Sequence, residues 1–251
     1  MDILYIIGEG VSENDYFDLK CSLRSLEYYG KNFNRVFIAG YCPDWLSSEV
    51  IKVPFTQPYP GTIDIVEKHL NIQETIRYVV ANTDISSEFV VSMSDHFLTR
   101  TVDFAQYPFC CRLTSIGTLI PDKEDSTYSK FLKDTKSYLI SKNLSTLYTT
   151  LHRDMKVTKN SVIECSDMFD EILENKIPVE PFLLLGNWEY TNGVSKDDLR
   201  FVEDYKIRQG SNWWMSSSEV TDQFSVGPFK HGIGFYTLLE LKYNVKSKYE
   251  L

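Results

Sequence analysis

The sequence predicts an α/β protein with an open, mostly parallel sheet flanked by helices, followed by an aromatic, loop-rich C-terminal region. Short β-rich apolar runs alternate with longer segments whose apolar residues recur at helical spacing. In the first hundred residues the elements follow the order strand, helix, strand, strand, helix, strand, which is typical of a parallel sheet covered by helices. The final seventy residues lack this rhythm and are rich in aromatic side chains.

The spacing of apolar residues and the positions of capping and loop residues predict the individual strands and helices. Leu19, Leu23 and Leu26 place one apolar stripe along the first predicted helix, and Gly30 follows it as a C-cap. Polar or proline-bearing loops separate the remaining runs. The predicted strands are 3–7, 35–39, 50–53, 88–93 and 109–113, and the predicted helices are 15–29, 63–80, 127–142 and 161–174.

Length and charge limit the classes of protein. A chain of 251 residues with 43% hydrophobic content can form one domain over 1–251, with a first half at 1–100 and a second at 101–251. The formal net charge of −9 argues against a molecule whose whole surface binds nucleic acid. Local basic clusters leave a basic groove open: Arg153, Lys156 and Lys159, and Lys242, Lys246 and Lys248.

The cysteines and the N-terminus point to a cytoplasmic protein. The start "MDILYIIGEG" has an acidic second residue and a short apolar run, so we expect neither a secretory signal nor a membrane span. No CxxC pair occurs, and we expect reduced thiols, mostly in the core. The five cysteines are Cys21, Cys42, Cys110, Cys111 and Cys165.

The segment "VVSMSDHFL", residues 90–98, is the first candidate site. A buried strand there runs into Asp95 and His96. Ligands of open α/β sheets bind at the carboxyl ends of the strands, and a carboxylate with an imidazole can hold a divalent cation. The alternative is an ordinary strand exit in which Asp95 caps the next turn.

Two more candidates lie near the first strand. Gly8-Glu9-Gly10 allows close approach of a ligand to the backbone, although two glycines around a glutamate fall short of a dinucleotide fingerprint. Arg24, in "SLRSLEYYG", lies off the apolar stripe of its helix, where it can contact a phosphate in bidentate fashion. The alternative for Arg24 is a solvated helix face.

The second half holds further candidates. His152 and Arg153 in "TTLHRDMKVTKN", and Asp204 and Lys206 in "EDYKIRQG", are candidate acid, base or phosphate-binding groups, or else ordinary loop charges. The pair Trp213-Trp214 can stack on a sugar or a base, or pack at a domain edge.

In order along the chain, "DILYIIGEG", "DLKCSLRSLEYYGKNFNRVFIAGYCPDWL", "ISSEFVVSMSDHFL", "LHRDMKVTKNSVIE", "EDYKIR" and "KSKYE" resemble a group of phage and bacterial glycosyltransferases with the GT-A fold. The first half also resembles the Stealth family of sugar-phosphate transferases. The resemblance spans most of the chain and is strongest over residues 2–98.

The resemblance implies a nucleotide-sugar site. The loop around Gly8-Glu9-Gly10, together with Arg24, Asp95 and Arg153, would contact the donor, and Asp95 and His96 would hold Mn²⁺ or Mg²⁺. It also implies catalytic roles for His152, Asp204 and Lys206. The related pattern usually reads Asn-Asp-Asp-His, whereas Ser94 stands here where a carboxylate is expected, which weakens the implied metal site.

The implied activity is transfer of a sugar from a nucleotide-sugar donor, such as UDP-arabinose or UDP-glucose, to an acceptor hydroxyl. The resemblance to phage proteins suggests 5-hydroxymethylcytosine in DNA as acceptor, reached by base flipping, with a glycan acceptor as the alternative. Two other classes stay open: a Stealth-like sugar-1-phosphate transferase and a non-catalytic nucleotide-sugar-binding module.

Overall fold

The structure, a computed structural model, describes residues 1–8, 16–116, 126–149, 153–193, 199–202, 206–207, 223–226 and 242–251. The strands are β1 (Asp2–Ile7), β2 (Gly30–Lys31), β3 (Val36–Gly40), β4 (Val50–Pro54), β5 (Glu88–Ser92), β6 (His96–Leu98), β7 (Val102–Asp103), β8 (Phe109–Ser115), β9 (Leu147–Tyr148), β10 (Met155–Thr158), β11 (Leu199–Phe201), β12 (Lys206–Ile207) and β13 (Gln223–Val226). The helices are α1 (Phe17–Tyr29), α2 (Ile65–Asn82), α3 (Thr127–Ser141), α4 (Lys159–Glu164), α5 (Ser166–Asn175) and α6 (Pro181–Asn192).

The central sheet has five strands in the order β10-β5-β1-β3-β4. β5, β1, β3 and β4 are parallel, and β10 closes one edge in the antiparallel direction. The predicted open, mostly parallel sheet flanked by helices is therefore confirmed. One consequence is that the carboxyl ends of four strands and the amino end of β10 lie along a single edge, which we call the carboxyl edge.

Both faces of the sheet are buried because helices cover each of them. Successive side chains of a strand point to opposite faces, and β1 is buried along its whole length. Ile3, Tyr5 and Ile7 pack in one apolar cluster with α1, whereas Leu4 and Ile6 pack in a second cluster with α2 and the later helices. The continuous apolar run of β1 is the pattern expected of a strand in a parallel sheet.

β6 continues directly from the carboxyl end of β5 and is fixed to α1. Ser22 Oγ donates to the carbonyl oxygen of His96 at 2.5 Å, and the Leu98 amide donates to Ser25 Oγ at 3.0 Å. Both serines are buried. β6 also pairs with β13, which in turn pairs with β12. The main chain of His96 is thus held from two sides.

The predicted helix over 161–174 is wrong in its continuity, because the chain forms α4 and α5 with a break at Cys165. Val162, Cys165, Phe169 and Ile172 are all buried, so the apolar spacing runs through the break and hides it. Thr158 begins α4 as its N-cap, since its side chain accepts from the Ser161 amide.

The expected loop-rich character of the C-terminal region is also wrong over "LLLGNWEYTN", because this segment forms α6. The helix begins at Pro181, and the Glu180 side chain caps it by accepting from the Leu183 amide at 2.5 Å. α6 is buried on most sides, including at Asn187 and Glu189, so it carries no amphipathic stripe. Proline in the first turn was the sequence signal from which the start of this helix could have been predicted.

Along the described residues, no helix combines the length and the apolar character that a membrane crossing requires.

Asp2 secures the amino ends of the central strands and yields a test. Its fully buried carboxylate accepts from Arg35 Nη2 and from the Ser86 amide, both at 2.8 Å. Burial by itself raises the pKa of Asp2, but the hydrogen bonds from Arg35 and Ser86 outweigh it and hold the pKa below the ordinary 3.8. The ionised form is therefore stabilised by folding, and this contribution is complete above pH 3.8 and is lost as the pH falls through the lower folded-state pKa.

We predict that Asp2→Asn lowers the free energy of unfolding at pH 7 by about 1–3 kcal/mol, because a buried charged acceptor is lost. The difference from wild type should shrink below pH 4, as measured by urea titration at both pH values. Asp84→Asn is the matched control, since Asp84 also binds Arg35 but is 81% exposed, and it should have a much smaller effect. Equal losses for both variants would contradict the assignment.

Candidate functional site

The candidate site lies at the carboxyl edge, where the connectivity of the sheet reverses. The chain leaves β1 towards β3 and β4 on one side, and later returns to add β5 on the other side of β1. Such a switch point forms a crevice in which ligands of open α/β sheets bind. Gly8 follows β1 there, and Asp95 and His96 follow β5.

His96 lies between two carboxylates. Its Nδ1 atom is 3.2 Å from Asp154 Oδ1, and its Nε2 atom is 4.0 Å from Asp95 Oδ1. The imidazole is 10% exposed and the Asp154 side chain 5%, whereas the Asp95 side chain is 34% exposed. Asp154 is therefore a buried partner of the ring, whereas Asp95 is partly exposed.

Asp154 was missed by the sequence analysis, which treated its segment as a loop. It directly precedes β10, whose antiparallel pairing with β5 brings Met155 opposite Val91. The alternation of buried Met155 and Val157 with Lys156 and Thr158 was the available signal for a strand. Only the tertiary pairing brings Asp154 to His96, 58 residues away in sequence.

The main chain of Asp154 is held by two buried side chains. Its amide donates to Gln223 Oε1 at 3.0 Å, and its carbonyl oxygen accepts from the Tyr107 hydroxyl at 2.8 Å. Tyr107 also donates to Gln223 Oε1 at 3.2 Å. Burial raises the pKa of Tyr107 well above its ordinary range, so the hydroxyl stays protonated and able to donate.

A second carboxylate that was not predicted lies near Asp95. Asp18, in the first turn of α1, has its pKa raised to about 6 by burial and, secondarily, by the negative charge of Asp95. Within the described part of the chain, no group of three or more His, Cys, Asp or Glu side chains is arranged to hold a metal ion. The two predicted metal ligands, Asp95 and His96, are neighbours in sequence with Oδ1 and Nε2 4.0 Å apart, and their role as ligands stays a prediction.

Arg24 points elsewhere than to the carboxyl edge. Its Nε and Nη2 atoms donate to the two oxygens of Glu250 at 2.8 and 2.7 Å, and Nη1 donates to the Tyr243 carbonyl oxygen at 2.9 Å. Burial opposes ionisation of Glu250, but hydrogen bonds from Arg24 and Ser247 outweigh it and lower the Glu250 pKa. These contacts favour a structural role for Arg24, and its predicted contact with the donor stays a prediction.

The remaining predicted residues divide by location. Gly8 lies at the edge, and its carbonyl oxygen accepts from the Tyr16 hydroxyl at 3.3 Å. Arg153 is buried beside Asp154 and hydrogen-bonds Tyr107. The other predicted residues fall outside the described ranges: Glu9, Gly10, His152, Asp204, Trp213 and Trp214.

Lys206 is described by its backbone alone. It pairs with Ser225 across β12 and β13, and Ser225 pairs with His96 across β13 and β6. Two strand spacings separate the Lys206 and His96 backbones, which is roughly 10 Å. The fold therefore brings Lys206 into register with the site, although 110 residues separate the two in sequence.

A cavity of about 330 Å³ opens at the carboxyl ends of β3 and β4. Gly40 forms part of its wall with a φ of +90°, and a Cβ there would lie 2.3 Å from the Ile7 carbonyl oxygen. Gln57 is buried in another wall, where its Nε2 atom donates to Thr75 Oγ1 at 3.3 Å. Tyr41 stacks on Tyr16 with ring centroids 5.1 Å apart. The residues of this cavity were not predicted from the sequence.

The fold is that of GT-A-like glycosyltransferases. A solved structure of the galactosyltransferase LgtC, in complex with donor and acceptor sugar analogs, aligns with a TM-score of 0.50 and 10% sequence identity. The alignment covers 99% of this chain and 98% of LgtC. It confirms the predicted GT-A-like arrangement of sheet and helices.

Two further structures align less well. An active-site mutant of LgtC aligns with a TM-score of 0.44 at 10% identity, over 100% of this chain and 85% of that one. The glycosyltransferase GlyE of Streptococcus pneumoniae TIGR4 aligns with a TM-score of 0.46 at 8% identity, over 98% of this chain and 61% of that one. No protein-family model matches the chain, and no curated protein does.

The contacts of Arg24 yield a double-mutant test. If Arg24 anchors the C-terminal segment, Arg24→Ala and Glu250→Ala should each destabilise the fold and should be non-additive, with a coupling energy of about 0.5–3 kcal/mol. Chemical denaturation of wild type, both single variants and the double variant measures it. Additive effects, together with a raised KM for the donor in Arg24→Ala, would instead assign Arg24 to phosphate binding.

Proposed function

We propose that this protein is a glycosyltransferase that uses a nucleotide-sugar donor. The observation that carries the proposal is the position of the Asp95, His96 and Asp154 cluster at the switch point of a GT-A-like fold that extends over nearly the whole chain. Glycosyl transfer requires groups that stabilise a departing nucleoside diphosphate while an acceptor hydroxyl is positioned. A carboxylate and an imidazole at this place suit a divalent cation, which would stabilise the departing diphosphate.

A divalent cation fits the side chains present. Asp95 Oδ1 and His96 Nε2 face each other at 4.0 Å and would hold Mn²⁺ or Mg²⁺, with phosphate oxygens of the donor as further ligands. Such an ion neutralises charge on the leaving diphosphate. Ser94 removes one carboxylate from the local motif, but Asp18 supplies another negative charge near Asp95. The chain itself orients the two ligands and excludes water from the imidazole.

The cavity beside β3 and β4 is the proposed place of the donor nucleobase. It lies on the same edge as Gly8 and is large enough for a planar ring. Gln57 offers an amide that can both donate and accept, and burial removes competing water from its contacts. His152, Asp204 and Lys206 are proposed to act on the acceptor side, on the strength of the sequence resemblance, with Lys206 in register with His96.

Two acceptors are proposed, 5-hydroxymethylcytosine in DNA and a glycan hydroxyl. The DNA proposal rests on the resemblance to phage enzymes. The basic cluster at 153–159 gives it little support, because Arg153 is buried and Lys156 pairs with Glu88 at 3.0 Å. The net charge of −9, and the acceptor sugar analog bound to LgtC, favour the glycan alternative.

The first experiment combines donors and acceptors. We would incubate the protein with UDP-arabinose, UDP-glucose and other UDP-sugars, with hydroxymethylated DNA or glycans, with and without Mn²⁺, and weigh the products. A pentose or hexose added to an acceptor is expected, whereas a sugar phosphate added would indicate a Stealth-like transferase. Failure to consume any donor would favour the binding module.

We predict that Asp95→Ala lowers donor turnover at least about 100-fold, by analogy with loss of one group that stabilises developing charge. Excess Mn²⁺ should restore part of the rate if the variant has lost cation affinity. Asp167→Ala is the control, because Asp167 is exposed on α5, away from the carboxyl edge. Full turnover in Asp95→Ala would remove this carboxylate from the mechanism.

A second prediction concerns the cavity. Gln57→Leu should raise the KM for the nucleotide-sugar about tenfold with little change in kcat, because base binding is the same in ground and transition states. UDP competition measures the same loss. Asp44→Asn, exposed in the loop after β3, should leave both constants unchanged. An unchanged KM in Gln57→Leu would place the nucleobase elsewhere.

A further inference from the structure

We propose that Thr75 is a positioning residue, which holds the side-chain amide of Gln57 so that its Oε1 atom accepts a hydrogen bond from a ring N–H of the donor nucleobase. The ligand class is a pyrimidine that carries a ring N–H, as uracil does, in preference to cytosine. The inference rests on the proposed function, because that function places a nucleobase in the cavity beside β3 and β4.

The amide of Gln57 has a described partner at only one of its two ends. Gln57 lines the cavity and is 7% exposed. Its Nε2 atom donates to Thr75 Oγ1 at 3.3 Å. Among the described residues no donor reaches Gln57 Oε1, and protein atoms do not fully enclose it, so this oxygen is open to the cavity. A largely buried acceptor without a partner is costly, and a ligand that donates to it would remove that cost.

The hydrogen bonds of Thr75 determine which end of the amide faces the cavity. Thr75 is fully buried in α2 and does not line the cavity. Its hydroxyl donates its single hydrogen to the Asn71 carbonyl oxygen at 2.7 Å, so its oxygen is left to accept. The amide NH₂ group of Gln57 can donate to that oxygen, whereas the amide oxygen cannot. A flipped amide would keep one of these two bonds instead of both, so the orientation with Oε1 towards the cavity is the more stable one.

The loop that carries Gln57 is tied to the same face of α2. Asn71 lies one helical turn before Thr75, and its side chain binds the main chain of Tyr59. Asn71 Oδ1 accepts from the Tyr59 amide at 2.9 Å, and Asn71 Nδ2 donates to the Tyr59 carbonyl oxygen at 2.7 Å. A Cβ atom at Gly40 would approach Gln57 Nε2 to 3.2 Å. The glycine therefore leaves room for the amide against the end of β3.

An acceptor that faces the cavity selects a base by the hydrogen atom that the base presents. Uracil carries an N–H at N3, whereas N3 of cytosine is unprotonated and would place its lone pair against the Gln57 oxygen. A site built around a hydrogen bond rejects the analogue that lacks the donor, because the buried group is then left unpaired. The position of Gln57 Oε1 therefore favours uracil over cytosine.

The first test measures this preference by calorimetric titration of the full chain with UDP and with CDP, in the presence of Mn²⁺. We expect wild type to bind UDP about tenfold more tightly than CDP, the effect of one hydrogen bond. In Thr75→Val the amide loses its acceptor and can rotate to donate to cytosine N3, so the preference should fall to about threefold or less. Thr75→Ser keeps the hydroxyl and should keep the tenfold preference.

Thr135→Val is the matched control. Thr135 is also fully buried, on α3, and its hydroxyl also donates to the carbonyl oxygen four residues earlier, that of Phe131, at 3.0 Å. Its oxygen likewise accepts, from the Glu180 amide at 3.1 Å. Because Thr135 does not line the cavity, this variant should lose stability in thermal unfolding and keep the preference for UDP. If Thr75→Val weakened UDP and CDP by the same factor, Thr75 would be merely structural and the inference would be overturned.

The second test observes the hydrogen bond to the base. The N3 imino proton of ¹⁵N-labelled UDP is recorded by NMR, bound to saturating wild type or Gln57→Leu. We expect slow exchange of this proton with water in wild type and fast exchange in Gln57→Leu. Fast exchange in wild type, or equal protection in the two proteins, would overturn the inference. Wild type that binds neither UDP nor CDP would overturn it as well.

The two proposals can fail separately. If wild type prefers UDP and protects the imino proton but transfers no sugar, the proposed function fails and the inference stands. If sugar is transferred while UDP and CDP bind equally, the inference fails and the proposed function stands.

Discussion

The parallel pairing of β1 with β3 on one side and β5 on the other positions the rest of the molecule. β1 is buried on both faces, so its register is fixed by two apolar clusters at once. Asp2 locks the opposite end of the strand, where Arg35 and Ser86 bring the start of β3 and the approach to β5 onto one carboxylate. The switch point, and with it the crevice, follows directly from this pairing.

At the carboxyl edge, the fold places several carboxylates close together, and these carboxylates differ in how deeply they are buried. Asp18 and Asp95 repel each other enough to contribute to the raised pKa of Asp18, while Asp154 is buried against His96. Burying a carboxylate is costly unless it is hydrogen-bonded. The imidazole meets that requirement for Asp154, and a bound cation would relieve the repulsion between Asp18 and Asp95. Such a concentration of charge is typical of functional sites rather than of a structural core.

The C-terminal residues belong to the scaffold of the first half of the chain as much as the early strands do. Tyr243 donates to the Leu98 carbonyl oxygen at the end of β6, and Glu250 binds Arg24 on α1. Ser47 donates to the Lys248 carbonyl oxygen at 2.6 Å, which ties the same segment to the loop between β3 and β4. β6, α1 and this loop are therefore connected through contacts that span 145 to 226 residues of sequence.

The alternating strands and helices follow from local features of the sequence, because apolar period and capping residues act over a few positions. The sequence also indicates that Asp95 and His96 follow a buried strand. It failed where the signal was not local: α6 is buried on most sides, and the break at Cys165 keeps its apolar spacing. The contacts of Asp154 with His96 and of Arg24 with Glu250 emerge only in the folded protein, because strand pairing and ion pairing across 58 and 226 residues leave no periodic trace in the chain.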